Sequence, residues 1–325
     1  MRPNRDGILN TPDGLNAVGQ NQAQAPKLKK AIQTFLRRDL SPNTMKAFGA
    51  DLKPFVAAYG NLRVNEIGSA RVLEHLDGLT TRQGKPVSDA TYNRHFGTLL
   101  NFFRWLDEFK KSTAKVRAQL VYYRNPMFRL HRRKLPDKLP RPLTKDQVQT
   151  ILARVDGPRD RALFTLLYDS GLRIQEALNL NVDDLDLADG SMRVLGKGER
   201  ERTAFLSKKA CLLLKRHLRD RRNPVSGPVF VSRQYSDRGG HRLSYAMAYR
   251  LFRRYSDGIQ HNGQQATIHQ LRHSFGSERA GVIDSLALKQ LMGHRSLRTT
   301  LQYAEVNPEA ARNAFIRYEA SRMHS

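Results

Sequence analysis

The sequence has almost nothing to cross-link it and nothing to anchor it in a lipid bilayer. Cys211 is its only cysteine, so an intrachain disulfide and a cysteine-based zinc site are both excluded. It lies in the run Cys211-Leu212-Leu213-Leu214, where an ordinary packed thiol is the expected state. A long apolar stretch and a lipidation signal are both lacking, which argues against membrane attachment. The polar stretch from Met1 to Pro26 has no apolar signal core and reads as a flexible tail on a protein kept in the cytoplasm. There is no internal repeat and no sustained heptad. Acidic residues are scarce, 30 Asp and Glu against 56 Lys and Arg, for a formal net charge of +26. Such an excess calls for a polyanionic partner, and nucleic acid fits it.

The 325 residues are enough for two domains, each with its own core. From Lys27 to Lys111 the apolar spacing is helical. Leu28, Ala31, Ile32, Phe35 and Leu36 share one face, and Ser41-Pro42 caps a second helix through Tyr59. Val72, Leu73, Leu76 and Leu79 mark a third. Ser88 opens a fourth, which turns Tyr92, Phe96, Leu99, Leu100, Phe103 and Leu106 inward. A small bundle is expected. Residues 112–140 gather Arg124, Arg129, Arg132, Arg133, Lys134 and Lys138 among prolines and read as an extended basic linker lying along phosphates. Residues 141–325 begin with a capping box, Thr144 and Gln147. They continue as helices around short strands near Gly196-Lys197-Gly198. The expected class is mainly α with a small antiparallel β-sheet.

Three segments concentrate groups suited to a phosphate. In Asp169-Ser170-Gly171-Leu172-Arg173-Ile174-Gln175-Glu176, a glycine break precedes a helix that starts near Arg173, whose guanidinium can fork onto two oxygens. In Thr267-Ile268-His269-Gln270-Leu271-Arg272-His273, the two histidines and the arginine share a helical face. The run Leu291-Met292-Gly293-His294-Arg295-Ser296-Leu297-Arg298-Thr299-Thr300-Leu301-Gln302-Tyr303 ends in a tyrosine among basic and hydroxyl residues. Each segment alone is weak, because a lone arginine is usually a surface charge and a lone tyrosine usually packing.

Taken in order, these segments resemble the tyrosine recombinases, the phage integrases with their Xer-like and Cre-like relatives. The likeness spans nearly the whole chain. Thr91-Tyr92-Asn93-Arg94 and Phe102-Phe103-Arg104-Trp105 are similar to parts of the family's core-binding region. The resemblance implies a helical core-binding (SAM-like) domain over 27–111 and an α+β catalytic domain over 141–325. It further implies a single active site of Arg173, Lys197, His269, Arg272, His294 and Tyr303. In that site Arg173 and Arg272 would clamp the scissile phosphate, and Lys197 would protonate the departing 5′ oxygen. Tyr303 would attack phosphorus with His269 as its proton acceptor, while His294 would hydrogen-bond the phosphate and Glu176 and His273 would stand behind as supports. No metal and no nucleotide cofactor is implied. Departures from the family pattern are Gln175, Ile268 and Ala204-Phe205.

Double-stranded DNA is the expected partner, with contacts from Arg94, from Arg129, Arg132 and Arg133, and from the outward stripe Arg250, Arg253 and Arg254 of a helix capped by Ser244. The resemblance also implies a homotetramer on two duplexes that exchanges a C-terminal helix over 307–321, with docking on its own domain left open. A site-specific recombinase leads. The integrase or transposase of a mobile element would use the same chemistry, and a type IB topoisomerase-like enzyme or a non-catalytic DNA-binding regulator are the further alternatives.

Overall fold

A computed structural model describes residues 24–136, 142–196, 201–232, 241–261, 263–280 and 282–306, with Arg312, Phe315, Ile316 and Glu319 singly. The chain divides between Asp137 and Lys138 into two units, each with its own core. Among the described residues no helix is long and apolar enough to cross a membrane.

In the first unit, apolar residues at helical spacing build α1 (Leu28–Leu36), α2 (Pro42–Tyr59), α3 (Ser69–Asp77) and α4 (Asp89–Lys110). Ser41 and Ser88 accept the amides of Thr44 and Thr91, satisfying donors that α2 and α4 would otherwise leave bare. The inward faces meet in an aromatic cluster. Phe35 sits edge-on to Phe102 at 5.4 Å, and Phe55 edge-on to Phe103 at 6.3 Å.

Residues 112–136 depart from an extended linker. A short α5 (Ala114–Gln119) forms, and Leu120, Tyr123 and Met127 are buried in the first unit's core. Their apolar area outweighs the local run of charge. Asn93 then holds the chain by two hydrogen bonds, donating to the Arg133 carbonyl (2.8 Å) and accepting its amide (2.9 Å).

In the second unit, Thr144 and Gln147 form the reciprocal capping box of α6 (Lys145–Ala153). Next, α7 (Pro158–Ser170) is buried on nearly all sides, as the central helix of a layered domain must be. After α8 (Ile174–Asn179) come β1 (Leu185–Asp186), β2 (Ser191–Leu195) and β3 (Glu201–Phe205), an antiparallel sheet in that order. Its β2–β3 ladder runs unbroken from Ser191↔Phe205 to Leu195↔Glu201, so Ala204-Phe205 leaves the pairing intact. The helices α9 (Lys208–Asp220) and α10 (Tyr245–Tyr255) follow, then a short hairpin of β4 (Gln260–His261) and β5 (Gln264–Gln265). The described chain closes with α11 (Ile268–Arg279), α12 (Ser285–Met292) and α13 (Leu297–Val306). Ser274 on α11 both donates to and accepts from the Leu143 backbone at 3.0 Å, so α11 is fixed to the start of the unit.

Between α7 and α8 the chain turns at Gly171 with φ +63°, a left-handed conformation that L side chains rarely adopt. A Cβ there would also lie 2.4 Å from the buried Phe275 ring. This turn delivers Arg173 to the start of α8. Gly171→Ala is therefore expected to lower stability by roughly 1–3 kcal/mol, read from urea denaturation. An unchanged midpoint would show that the turn is free to relax.

Candidate active site

The turn after α12 organises the site. The Met292 carbonyl accepts from Arg272 Nη2 (2.7 Å), and the next carbonyl, that of Gly293, accepts from Arg173 Nη2 (3.3 Å). Two guanidinium groups carried by α8 and α11, 99 residues apart in sequence, are thus tied to consecutive peptides. Arg272 also donates through Nη1 to the Gly171 carbonyl, on the turn that leads into Arg173. Burial, then the charge of Arg173, pushes Arg272 down to about 10, which leaves it cationic at neutral pH. Each guanidinium keeps donors beyond those that the described residues use. Arg272 is buried, whereas the Arg173 side chain is 43% exposed, an open cationic edge.

Glu176 is the local counter-charge. It accepts the Arg173 amide (2.9 Å) and Arg173 Nη1 (2.8 Å), closing a capping box at the start of α8. Burial pushes its carboxyl up, but the hydrogen bond from Arg202, the Arg173 amide and the nearby guanidinium charges outweigh it and hold the group below the usual carboxylate range.

Tyr303 faces these cations within the same unit. It lies on α13 in a small core with Phe275, Ala280, Leu288 and Met292, and is 3% exposed. Its ring fills the space that a side chain on Gly276 would occupy, since a Cβ there would come within 2.8 Å. Burial pushes the phenol above its ordinary range, and the positive charges of Arg272 and Arg173 pull against that.

The histidines are distributed differently from the expectation. Tyr303 Oη is hydrogen-bonded to Nδ1 of His273 at 3.0 Å, so the residue expected as a distant support touches the hydroxyl. His269, the expected acceptor, packs edge-on against His273 with ring centroids 4.6 Å apart. On α11 the two are one turn apart, and only the docking of α13 decides which of them meets the tyrosine. His294 stacks on the Tyr303 ring at 6.0 Å and is fixed through Nδ1 by Thr300 Oγ1 (2.9 Å). Burial, followed by neighbouring positive groups, pushes His273 and His294 down to about 4 and lowers His269. All three imidazoles are therefore neutral at neutral pH, and His273 has a bare nitrogen that can take a proton.

Lys197 lies outside the described residues, as do most of the basic loop from Arg233 to Arg242 and all but four residues of the expected C-terminal helix. Of the expected DNA contacts, Arg250 and Arg253 are exposed on α10, while Arg254 bonds Tyr255 Oη (2.8 Å). Arg129 and Arg132 are exposed in the first unit. Arg133 is committed elsewhere. It pairs with Asp77 (2.8 Å) and Asp89 (3.0 Å) and covers the Tyr92 ring at 3.8 Å, so it fastens its own segment. Arg94 is paired with the buried Asp51, which also accepts from Thr98 (2.9 Å), yet its side chain remains 54% exposed.

The Phage integrase family profile matches residues 141–310, and the chain belongs to that family, the tyrosine recombinases, an enzyme class that cleaves and religates DNA. It is 33% identical over 291 residues to tyrosine recombinase XerC of Rhodospirillum centenum, covering 84% of this chain and 80% of the relative. Among solved structures it resembles the XerH site-specific recombinase bound to difH in a post-cleavage complex, with a TM-score of 0.66, 20% identity and coverage of 90% of this chain and 85% of that one. A lambda integrase tetramer bound to a Holliday junction matches with a TM-score of 0.63, 16% identity and coverage of 90% and 81%.

The buried imidazoles set a pH dependence. His273 and His294 take up protons near pH 4 in the fold, against an ordinary 6.5 when released. Between those values the unfolded chain binds more protons, so stability is greatest above about 6.5 and falls as pH drops towards 4. His75 in the first unit, also pushed down to about 4, acts in the same sense. Urea midpoints of the DNA-free protein should decline over that window, and His273→Gln should make the decline shallower. A slope unaffected by His273→Gln would contradict the assignment.

Proposed function

We propose that this chain is a site-specific recombinase of the Xer type in which Arg173, Arg272, His273, His294 and Tyr303 act on one scissile phosphate. The observation that carries the reading is the anchoring of two guanidinium groups on the Met292 and Gly293 carbonyls, with the Tyr303 hydroxyl bonded to the residue next to Arg272.

In this reading the free N–H groups of Arg173 and Arg272 bind the non-bridging oxygens and stabilise the charge that builds as phosphorus becomes five-coordinate. Tyr303 Oη forms a bond to phosphorus, its proton passes to His273 Nδ1, and the bond from phosphorus to the 5′ oxygen breaks. His273 is neutral and so free to accept the proton, and the flanking cations favour the phenolate that forms. The stacked ring of His294 presents its second nitrogen to the phosphate. Lys197 is proposed to protonate the leaving 5′ oxygen. One phosphate ester replaces another, so attack by a 5′ hydroxyl on the 3′-phosphotyrosine rejoins the strand without ATP.

The helical first unit is proposed as the core-binding domain, with Arg94, Arg129 and Arg132 on the backbone, while Arg250 and Arg253 of α10 approach the groove. Arg94 suits this role because Asp51 and Thr98 fix one edge of its surroundings while the guanidinium stays open to solvent. Four protomers would join two duplexes through a Holliday junction, exchanging the helix over 307–321. The lambda integrase neighbour, solved as a tetramer on such a junction, supports this assembly. The work would be done at the nucleoid, in the bacterial cytoplasm.

Sequencing of genomic fragments covalently trapped on the protein identifies the target. A nicked suicide substrate built from it should then accumulate an adduct that Tyr303→Phe abolishes. Arg173→Ala should slow its formation by about 10²–10³-fold. An adduct that persists in Tyr303→Phe would show that another residue is the nucleophile. If 6 to 10 phosphates are neutralised, affinity for the site should fall by ~10³ to 10⁵ between 50 and 200 mM salt. A flat salt response in a binding titration would contradict the proposed backbone contacts.

A further inference from the structure

Arg202, on β3, belongs to none of the motifs that suggested the active site, yet it lies against it. Its Nη2 donates to Glu176 Oε2 (2.9 Å) and its Nη1 to Glu176 Oε1 (3.3 Å), so its fork covers both carboxylate oxygens. The pair is largely withdrawn from water, with the side chains 17% and 6% exposed. The guanidinium also presses on the turn that holds the other two, because a Cβ on Gly293 would lie 2.8 Å from Arg202 Cζ. Its Nε is buried with no hydrogen-bond partner among the described residues. A guanidinium selected only to bury itself comfortably would not leave that donor bare. Its placement serves Glu176.

The consequence falls on Arg173. With Arg202 across both oxygens, Arg173 reaches the carboxylate through Nη1 alone, spends Nη2 on the Gly293 carbonyl and keeps an open edge. Without Arg202, a buried carboxylate would have a single mobile cation beside it. The favoured geometry would then be the two-pronged arginine–carboxylate pair, which turns the fork of Arg173 inward, away from a phosphate.

We infer that Arg202 is a positioning residue that occupies Glu176 and so keeps Arg173 turned outward to receive the scissile phosphate. The inference rests on the recombinase reading for its catalytic consequence, and on this chain's own geometry for the orientation of Arg173. The hairpin strand β3 is thereby coupled to the phosphate clamp.

Two measurements test it. In single-turnover cleavage of the suicide substrate, Arg202→Met should be about 100-fold slower with DNA affinity unchanged. Arg202→Lys, which restores charge without the fork, should recover part of the rate, and it also serves if Arg202→Met does not fold. In a Glu176→Gln background, where no carboxylate competes for Arg173, removing Arg202 should cost less than about threefold. A crystal structure of Arg202→Met, or of Arg202→Lys in its place, should show Arg173 closed on, or shifted towards, both oxygens of Glu176. Losses that simply multiply in the double variant, or an unmoved Arg173, would overturn the inference. If wild-type protein formed no adduct through Tyr303, the functional reading would fall, and the orientation of Arg173 in the variant crystal would still decide the role of Arg202.

Discussion

Two positive groups that repel one another are held at a single turn because that turn offers them consecutive carbonyls. Arg272 and Arg173 take the carbonyls of Met292 and Gly293, and Glu176 answers Arg173 together with Arg202. The protein balances this cluster incompletely. Burial costs Arg272 its hydration, and this, followed by the charge of Arg173, lowers it from the ordinary arginine range. In the proposed reading a phosphodiester supplies the missing negative charge and a transition state with extra charge supplies more, so the preorganised excess would favour the reacting geometry over the resting one.

The remaining features of the second unit follow from keeping that cluster in place. The left-handed Gly171 lets α7 end where Arg173 must begin. Ser274 fixes α11 to Leu143, which steadies Arg272 and His273, and the small apolar core under α13 places Tyr303 on His273. Tyr303 is buried and bonded to a neutral imidazole, so its hydroxyl is protonated in the resting protein, and in the proposed reading it gives up that proton only when a substrate enters and shares the arginine charge. In the first unit, Asp51 repeats the arrangement on a smaller scale as a buried carboxylate that gives one surface arginine a fixed base.

Much of this was legible from spacing. The helix starts at Ser41, Ser88, Thr144 and Ser244 each carry a residue whose side chain accepts an amide three positions on, and the structure makes each of those bonds. The grouping of His269 with Arg272 and His273 on one face of α11 follows from their three- and four-residue spacing, and the motif order suggested Arg173, His294 and Tyr303 as their companions. What the sequence hid were choices made by docking. His269 and His273 are equivalent by spacing, and the position of α13 alone gives the hydroxyl to His273. Arg202 looks like one more charge in a basic hairpin, since its partner is 26 residues earlier in the chain. Arg133 looked free for DNA because Asp77 and Asp89, which hold it, are distant in sequence. The buried residues of 112–136 were masked by the arginines between them.

The central claim, that the Arg173 charge acts on the non-bridging oxygens of one phosphate, is tested most directly by removing charge from the substrate. Cleavage rates of wild-type and Arg173→Ala protein would be compared on a scissile phosphate and on a scissile methylphosphonate, which lacks one anionic oxygen. The account predicts that the penalty of Arg173→Ala, about 100-fold or more on the phosphate, shrinks at least tenfold on the neutral substrate. An equal penalty on both would contradict it.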